Sequence, residues 1–310
     1  IIKRNPTKSN DFNNDYAEAA YLERAQQLID TITKSSTQYK KINNLNENEI
    51  KNQQKKVNND IIEENNNSKK YIRRYLGGND ILKGLYRYCL WISDEDVPNA
   101  RKIETIGKRL ESCKTYRENA GRDAKKVADV PHRFCYRTHM DESFIAIPKT
   151  SSSGREYVPA DIFRAGPVVN VDAFAIYKAE PYVASILMSR MHNVWLATTS
   201  GRLGDGYRYS VKLSYNTFPL PVFTAKNEAD LNRCAEDILL AREAHFPATI
   251  ADLYNPDTMP DNLRTAHERN DEVLERIYIG RRFKNDTERL EKLFELYTKM
   301  TEKTAKGKKA

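Results

Sequence analysis

Residues 35–69 place the first constraint on the fold, because Asn, Lys, Gln and Glu dominate them. Asn43-Asn44, Gln53-Gln54-Lys55-Lys56, Asn58-Asn59 and Asn65-Asn66-Asn67 all fall in this stretch. Aromatic residues are almost missing, and Ile, Leu and Val are scattered. Such a segment cannot bury enough apolar surface to offset the entropy of ordering its backbone. It reads as a linker, and it divides the chain. Residues 1–34 precede it, with Ala20, Leu22, Ala25, Leu28, Ile29 and Ile32 at helix spacing. Residues 70–223 follow with mixed character. Residues 224–303 read as helical, and residues 304–310 are a basic tail. The class expected is α+β: a mixed domain of short strands and two or more helices, then an all-helical subdomain.

The 310 residues suffice for two domains. No run of 18 apolar residues exists, so no membrane partner is expected. Ile1-Ile2-Lys3-Arg4-Asn5-Pro6 lacks a signal-peptide core, which points to the cytoplasm. The chain does not begin with Met, as expected for a piece of a longer protein. Cys89, Cys113, Cys135 and Cys234 are widely spaced and read as reduced thiols. The net charge is +8. Residues 69–223 hold 25 Lys and Arg against 16 Asp and Glu, a difference of +9, so the flanks together carry 8 − 9 = −1. A basic excess gathered in one segment suits a phosphate backbone. A basic surface without a ligand is the competing reading.

Within the mixed region, Tyr71–Leu76 reads as helical, with Gly77-Gly78 as its C-terminal turn. Gly84–Ile92 reads as an aromatic strand and Pro98–Ala128 as one long charged helix. Short strands are expected at Arg133–Arg137, Ser143–Pro148, Arg155–Pro159, Pro167–Val171 and Phe174–Tyr177. Tyr182–Ala197 reads as one helix and Tyr207–Ser214 as a strand. Farther on, Asn227, Asp257 or Thr258, and Asp286 are candidate helix caps. The middle helix should bury Leu263, Ala266, Val273 and Ile277, and Gly280 should end it.

Catalytic signals are weak. Tyr254-Asn255-Pro256-Asp257 has Asp where an amino-methylase loop needs Pro and an aromatic residue, so it reads as a turn. The five histidines lack ligand spacing. Asp94-Glu95-Asp96 suits a helix start. Lys149, Glu156 and Asp161 fit a nuclease only unspecifically.

The informative segment is Ser189–Pro221. It joins Ser-Arg-Met-His-Asn-Val-Trp to Gly201-Arg202-Leu203-Gly204-Asp205-Gly206-Tyr207-Arg208-Tyr209-Ser210, and then to Tyr215-Asn216-Thr217-Phe218-Pro219-Leu220-Pro221. The glycines permit close approach to a groove. Arg202 and Arg208 offer planar forks for guanine edges or phosphates. Tyr207 and Tyr209 offer stacking faces or core packing. An ordinary hairpin with surface arginines is the competing reading.

These three blocks resemble the target recognition domain of the MmeI-like restriction-modification family (Type IIL) and of BREX-type methyltransferases. Its patterns are SRMHxAW, GRLxxxYRYS and YNxFPxP, and all appear here in order. Val194 stands for the usual Ala and Leu220 for the usual Trp. Tyr71–Gly77 with Tyr88–Ile92, Ile147–Pro159 and Leu263–Met300 resemble further family patterns, so the likeness spans roughly residues 70–303.

The resemblance implies that Gly204, Asp205 and Gly206 occupy the base-reading positions and that Arg208 contacts a base. Asp172 is placed by spacing as a partner of Arg208. Arg202, Tyr207, Tyr209 and Asn216 are DNA-contacting or loop-supporting. Two glycines stand where the family has charged side chains, so the base there is read by backbone or water, or not read at all. The family's catalytic domain, with its S-adenosylmethionine loop, lies upstream and is not matched here. No cofactor and no catalytic residue are expected in this chain. The implied partners are double-stranded DNA and a methyltransferase catalytic domain, in the same or a partner chain. The implied role is sequence recognition for adenine-specific methylation, in restriction-modification or phage defence and near the nucleoid. Two alternatives remain: a helical scaffold for a partner protein, and a complete methyltransferase with an unrecognised cofactor site.

Overall fold

The computed structural model describes residues 66–307, so the expected N-terminal helix and nearly all of the linker lie outside the described residues. The strands in chain order are β1 (Ile72–Leu76), β2 (Arg87–Leu90), β3 (Phe144–Pro148), β4 (Thr150–Ser152), β5 (Asp161–Phe163), β6 (Val168–Val169), β7 (Ala173–Tyr177), β8 (Gly201–Leu203) and β9 (Gly206–Arg208). The helices of the mixed half are α1 (Gly78–Lys83), α2 (Val97–Arg101), α3 (Glu104–Glu118), α4 (Arg122–Lys125), α5 (Pro181–Leu187) and α6 (Arg190–Thr199). The helical half holds α7 (Ala225–Glu243), α8 (Ile250–Leu253), α9 (Asp261–Ile279) and α10 (Asp286–Gly307). The fold is α+β with a helical C-terminal region, and residues 68–310 cluster as one unit.

Three small sheets form, ordered β2-β1-β6, β5-β3-β7 and β4-β9-β8. Every residue of β3 is buried, as befits a strand flanked on both edges. Lys149 then carries the chain from the β3 sheet into the hairpin sheet. Its N–H donates to Asp172 O (2.9 Å) and its carbonyl accepts from Tyr209 N–H (2.8 Å).

Several sequence expectations need correction. Residues 72–76 are a strand, because β2 and β6 pair with them on both sides. Gly77-Gly78 therefore opens a helix and does not end one. The Gly77 N–H is held by the Asp80 carboxylate at 2.6 Å. A Cβ on Gly78 would lie 2.8 Å from Asp172 O, so this turn is glycine for close packing. The long charged helix is three helices, broken where Ile103 and Gly121 are extended. Residues 133–137 and 155–159 are not strands. Arg133 and Arg137 converge on Asp94, while Phe134 stacks between Tyr75 and Trp91. The helix expected over 182–197 breaks at Met188-Ser189, where Ser189 is extended and its Oγ caps His192 N–H at 3.1 Å. The strand expected over 207–214 stops at Arg208 and continues as a π-helical turn, Val211–Tyr215.

In the helical half, Thr224 is the cap of α7, with Asn227 completing a reciprocal capping box. Pro260 precedes α9, and Gly280 ends it with φ 78°. Asp286 begins α10, and Asn285 caps it through Glu288 N–H (3.0 Å). The buried face of α9 is Leu263, His267, Asn270, Asp271, Leu274, Glu275 and Tyr278. Ala266, Val273 and Ile277 are only half-buried. Four polar side chains turn inward because each finds partners, which offsets their desolvation. Trp195 (1% exposed), Leu231, Leu274, Tyr278 and Leu293 form one apolar cluster joining α6, α7, α9 and α10. No helix among the described residues is long and apolar enough to cross a membrane.

Candidate nucleic-acid interface

β8 and β9 form a hairpin with a two-residue turn, pairing Gly201 with Arg208, Arg202 with Tyr207 and Leu203 with Gly206. Gly204 takes φ 57°, the region glycine supplies at the first central position of such turns. A Cβ at Gly204 would meet nothing within 4 Å, whereas one at Gly206 would lie 2.8 Å from Ser151 O. Gly204 is thus a turn glycine in open space. Gly206 is a glycine because β4 passes close by.

Side chains alternate across a strand. The register puts Ser151, Tyr207 and Arg202 on one face of this sheet. Tyr207 packs on the main core there, with the Arg202 guanidinium over its ring at 5.1 Å. The opposite face carries Thr150, Ser152, Gly201, Leu203, Gly206 and Arg208. Arg208 is therefore the one long polar side chain on this exposed face, which it shares with Leu203 and four small residues. Residues 201–205 are all exposed, with Leu203 at 60%. Arg202 and Arg208 lie on the hairpin, Asp205 is in its turn, Arg155 Nη1 donates to Ser151 Oγ of β4 at 3.2 Å, and Lys149 and Lys212 flank these strands in the chain.

The structure brings Gly204, Asp205, Gly206 and Arg208 together at the tip and exposed face. Asp172 lies in the exposed loop before β7, joined to the hairpin strand through the backbone of Lys149. No ion pair joins Asp172 to Arg208 among the described residues. Asn216 is exposed, and its N–H closes the π-helical turn onto Val211 O at 2.8 Å.

Tyr209 is a support. It is 4% exposed, and its hydroxyl lies 2.8 Å from His192 Nε2 of α6. Burial raises its phenol well above the ordinary range and pushes the His192 imidazole down to about 3. The pair is neutral, so it tethers the hairpin strand to α6 without an uncompensated charge. His192 escaped sequence reasoning as a site residue. Its signal was the joint presence of His in the helix block and Tyr in the strand block.

The strand-Gly77-Gly78-helix order superficially suits an S-adenosylmethionine loop. The space over both glycines is filled, by the Asn170 side chain over Gly77 and by the Asp172 carbonyl over Gly78. These residues do not fit the cofactor.

The fold and hairpin define a class: a mixed α/β body that presents a short, internally braced loop. Residues 27–222 match the family model described as "MmeI, target recognition domain", and residues 223–305 match "MmeI, C-terminal domain". The chain belongs to the MmeI target recognition domain family. It is 37% identical over 235 residues to "DNA methyltransferase A" of Bacillus subtilis (strain 168), a match covering 75% of this chain and 26% of that protein. It also resembles the solved Type IIL restriction-modification enzyme MmeI in complex with DNA, with TM-score 0.75 and 31% identity, covering 80% of this chain and 33% of that one. The chain thus spans a third or less of the length of each.

Proposed function

We propose that this chain reads double-stranded DNA as the specificity part of an adenine-specific DNA methyltransferase, in a cytoplasmic restriction-modification or phage-defence system. The observation that carries the reading is the exposed Arg208, the one long polar side chain on its hairpin face, braced from behind by Tyr209 and His192. The hairpin enters the major groove, where glycine permits close approach. Arg208 offers a fork to guanine O6 and N7, and Asp205 accepts from an exocyclic amino group. Neighbouring Lys and Arg hold phosphates and set the register. S-adenosylmethionine binds the catalytic domain, in the same or a partner chain, and that domain methylates the adenine.

Selection from random duplexes should enrich one motif with the wild-type chain. Arg208→Ala should lose preference at one base pair, by about 1–3 kcal/mol. Equal enrichment of the same motif by the variant would remove Arg208 from base reading. Salt separates this reading from a protein scaffold. Affinity for duplex should fall steeply with ionic strength as counterions are released. A flat response would favour the scaffold.

A further inference from the structure

Helix α6 runs into the hairpin with only Ser200 between them, and its first residue is gripped twice by the helical half. The Arg190 N–H donates to Asp271 Oδ1 of α9 at 2.7 Å. Its guanidinium donates to both oxygens of Asp286, the first residue of α10, at 3.2 and 2.6 Å, and to Glu156 O at 3.4 Å. The other Asp271 oxygen accepts from the Tyr157 hydroxyl at 3.1 Å. On the same face of α9, Asn270 Nδ2 donates to Ser185 O (2.9 Å), and His267 Nδ1 lies 3.1 Å from Met188 O. The break between α5 and α6 is thus held at residues 185, 188 and 190 by one helix.

Helix α6 transmits that hold. His192 meets Tyr209, Trp195 Nε1 donates to Thr217 Oγ1 (3.1 Å), and Thr199 Oγ1 donates to Ser214 Oγ (3.3 Å). These contacts fasten the segment immediately after Arg208.

We propose that Arg190, gripped through its side chain by Asp286, is a positioning residue for DNA recognition, so that the helical half sets the pose of Arg208 through the start of α6. The proposal rests on the hairpin being the reading element. A carboxylate on the first N–H of a helix both caps it and complements its dipole. The second grip, through the side chain, fixes how the helix is rotated. Bidentate contact with a base needs donor distances near 2.9 Å and near-linear angles, so a small rotation of α6 degrades it.

A purely structural role predicts something else. The half-buried, bidentate Arg190–Asp286 pair has side chains 30% and 42% exposed, so its loss lowers Tm in either case. A merely structural role would weaken selected and scrambled binding together, whereas a positioning role lowers the selected-to-scrambled ratio.

The test is a double-mutant cycle. Arg190→Ala is made alone and with Arg208→Ala, and affinity is measured for the selected duplex and for a scrambled duplex of equal length, alongside Tm. Arg190→Ala should lower the selected-to-scrambled ratio about tenfold, equivalent to about 1.4 kcal/mol, while scrambled binding stays constant. With Arg208→Ala already present, it should lower the ratio no further, because coupled residues are not additive. Asp286→Ala frees the same guanidinium from the α10 side and should reproduce the loss. An unchanged ratio in a folded Arg190→Ala or Asp286→Ala protein, or full additivity with Arg208→Ala, overturns the proposal. A wild-type ratio of one overturns the DNA reading itself, and with it this inference, before any variant is made.

Discussion

Replacing Arg289 by alanine should destabilise the protein by about 3–5 kcal/mol, because it strands a carboxylate in the interior. Glu275 on α9 has a side chain with 0% exposure. Arg289 of α10 donates to its Oε1 from Nε at 2.8 Å and from Nη2 at 2.6 Å. The Phe283 N–H takes Oε2 at 2.9 Å, and the Arg282 guanidinium stands off at 3.8 Å. Without Arg289, one backbone N–H and one rim cation remain to balance a buried charge. Thermal unfolding should show a Tm fall of about 6–20 °C, at about 2–4 °C per kcal/mol for a domain of this size. Glu275→Gln added to Arg289→Ala should recover much of the loss, since the stranded charge is then gone. A single variant that melts with the wild type would show that Glu275 is hydrated or paired elsewhere. The consequence extends to recognition, because the same α10 begins at Asp286, which holds Arg190.

The sequence made the glycine-rich turn and its Tyr/Arg strand legible, offered a hairpin only as the competing reading, and left the bracing hidden, for one physical reason. A turn needs particular residue types at fixed spacing, so Gly204 and the alternating Tyr207, Arg208 and Tyr209 are visible in the chain. A tether between His192 and Tyr209 depends on which side chains meet across 17 positions, and no local pattern encodes that. The buried polar stripe of α9 was missed similarly. Periodicity counts apolar positions, so it selected Ala266, Val273 and Ile277 and passed over His267, Asn270 and Asp271, whose partners are Ser185 of α5, Arg190 of α6, and Tyr157, Met188 and Tyr254 in the loops. Strand β1 was misread because Ile72 and Leu76 sit at helix spacing. Pairing on both edges overrode that spacing. The helix breaks at Ile103 and Ser189 were hidden because neither is Pro or Gly. The basic excess of residues 69–223 gave the partner class, but many of those cations are tied up in ion pairs, such as Arg133 with Asp94 and Arg101 with Glu111.

Acid should unfold this protein through two interior histidines, and the sign can be worked out from their surroundings. Burial holds His192 down at about 3, and burial together with the Arg242 charge holds His267 well below the ordinary range. In the unfolded chain each titrates near 6.5. Below that pH the unfolded state binds protons that the folded state refuses. Stability is therefore present above about 6.5 and is lost as pH falls toward the folded values. A histidine that resists protonation in the folded state contributes a slope of about 1.4 kcal/mol per pH unit, so His192 removes about 2–3 kcal/mol between pH 6.5 and 4.5, and His267 acts in the same direction. Asp271 works against them. Burial pushes its carboxyl up to about 7, so its contribution falls as pH rises through that value. The test is a difference measurement, which cancels the other titrating groups. Denaturant midpoints of wild type and His192→Gln, followed from pH 7 to 4.5, should diverge with the single-histidine slope. The double variant with His267→Gln should be flatter still. Asp271→Asn should change the slope in the opposite direction. Parallel curves for wild type and both Gln variants would mean that these imidazoles accept protons in the folded state. The buried, neutral His192–Tyr209 tether behind the reading strand would then be lost as an explanation of how Arg208 is held.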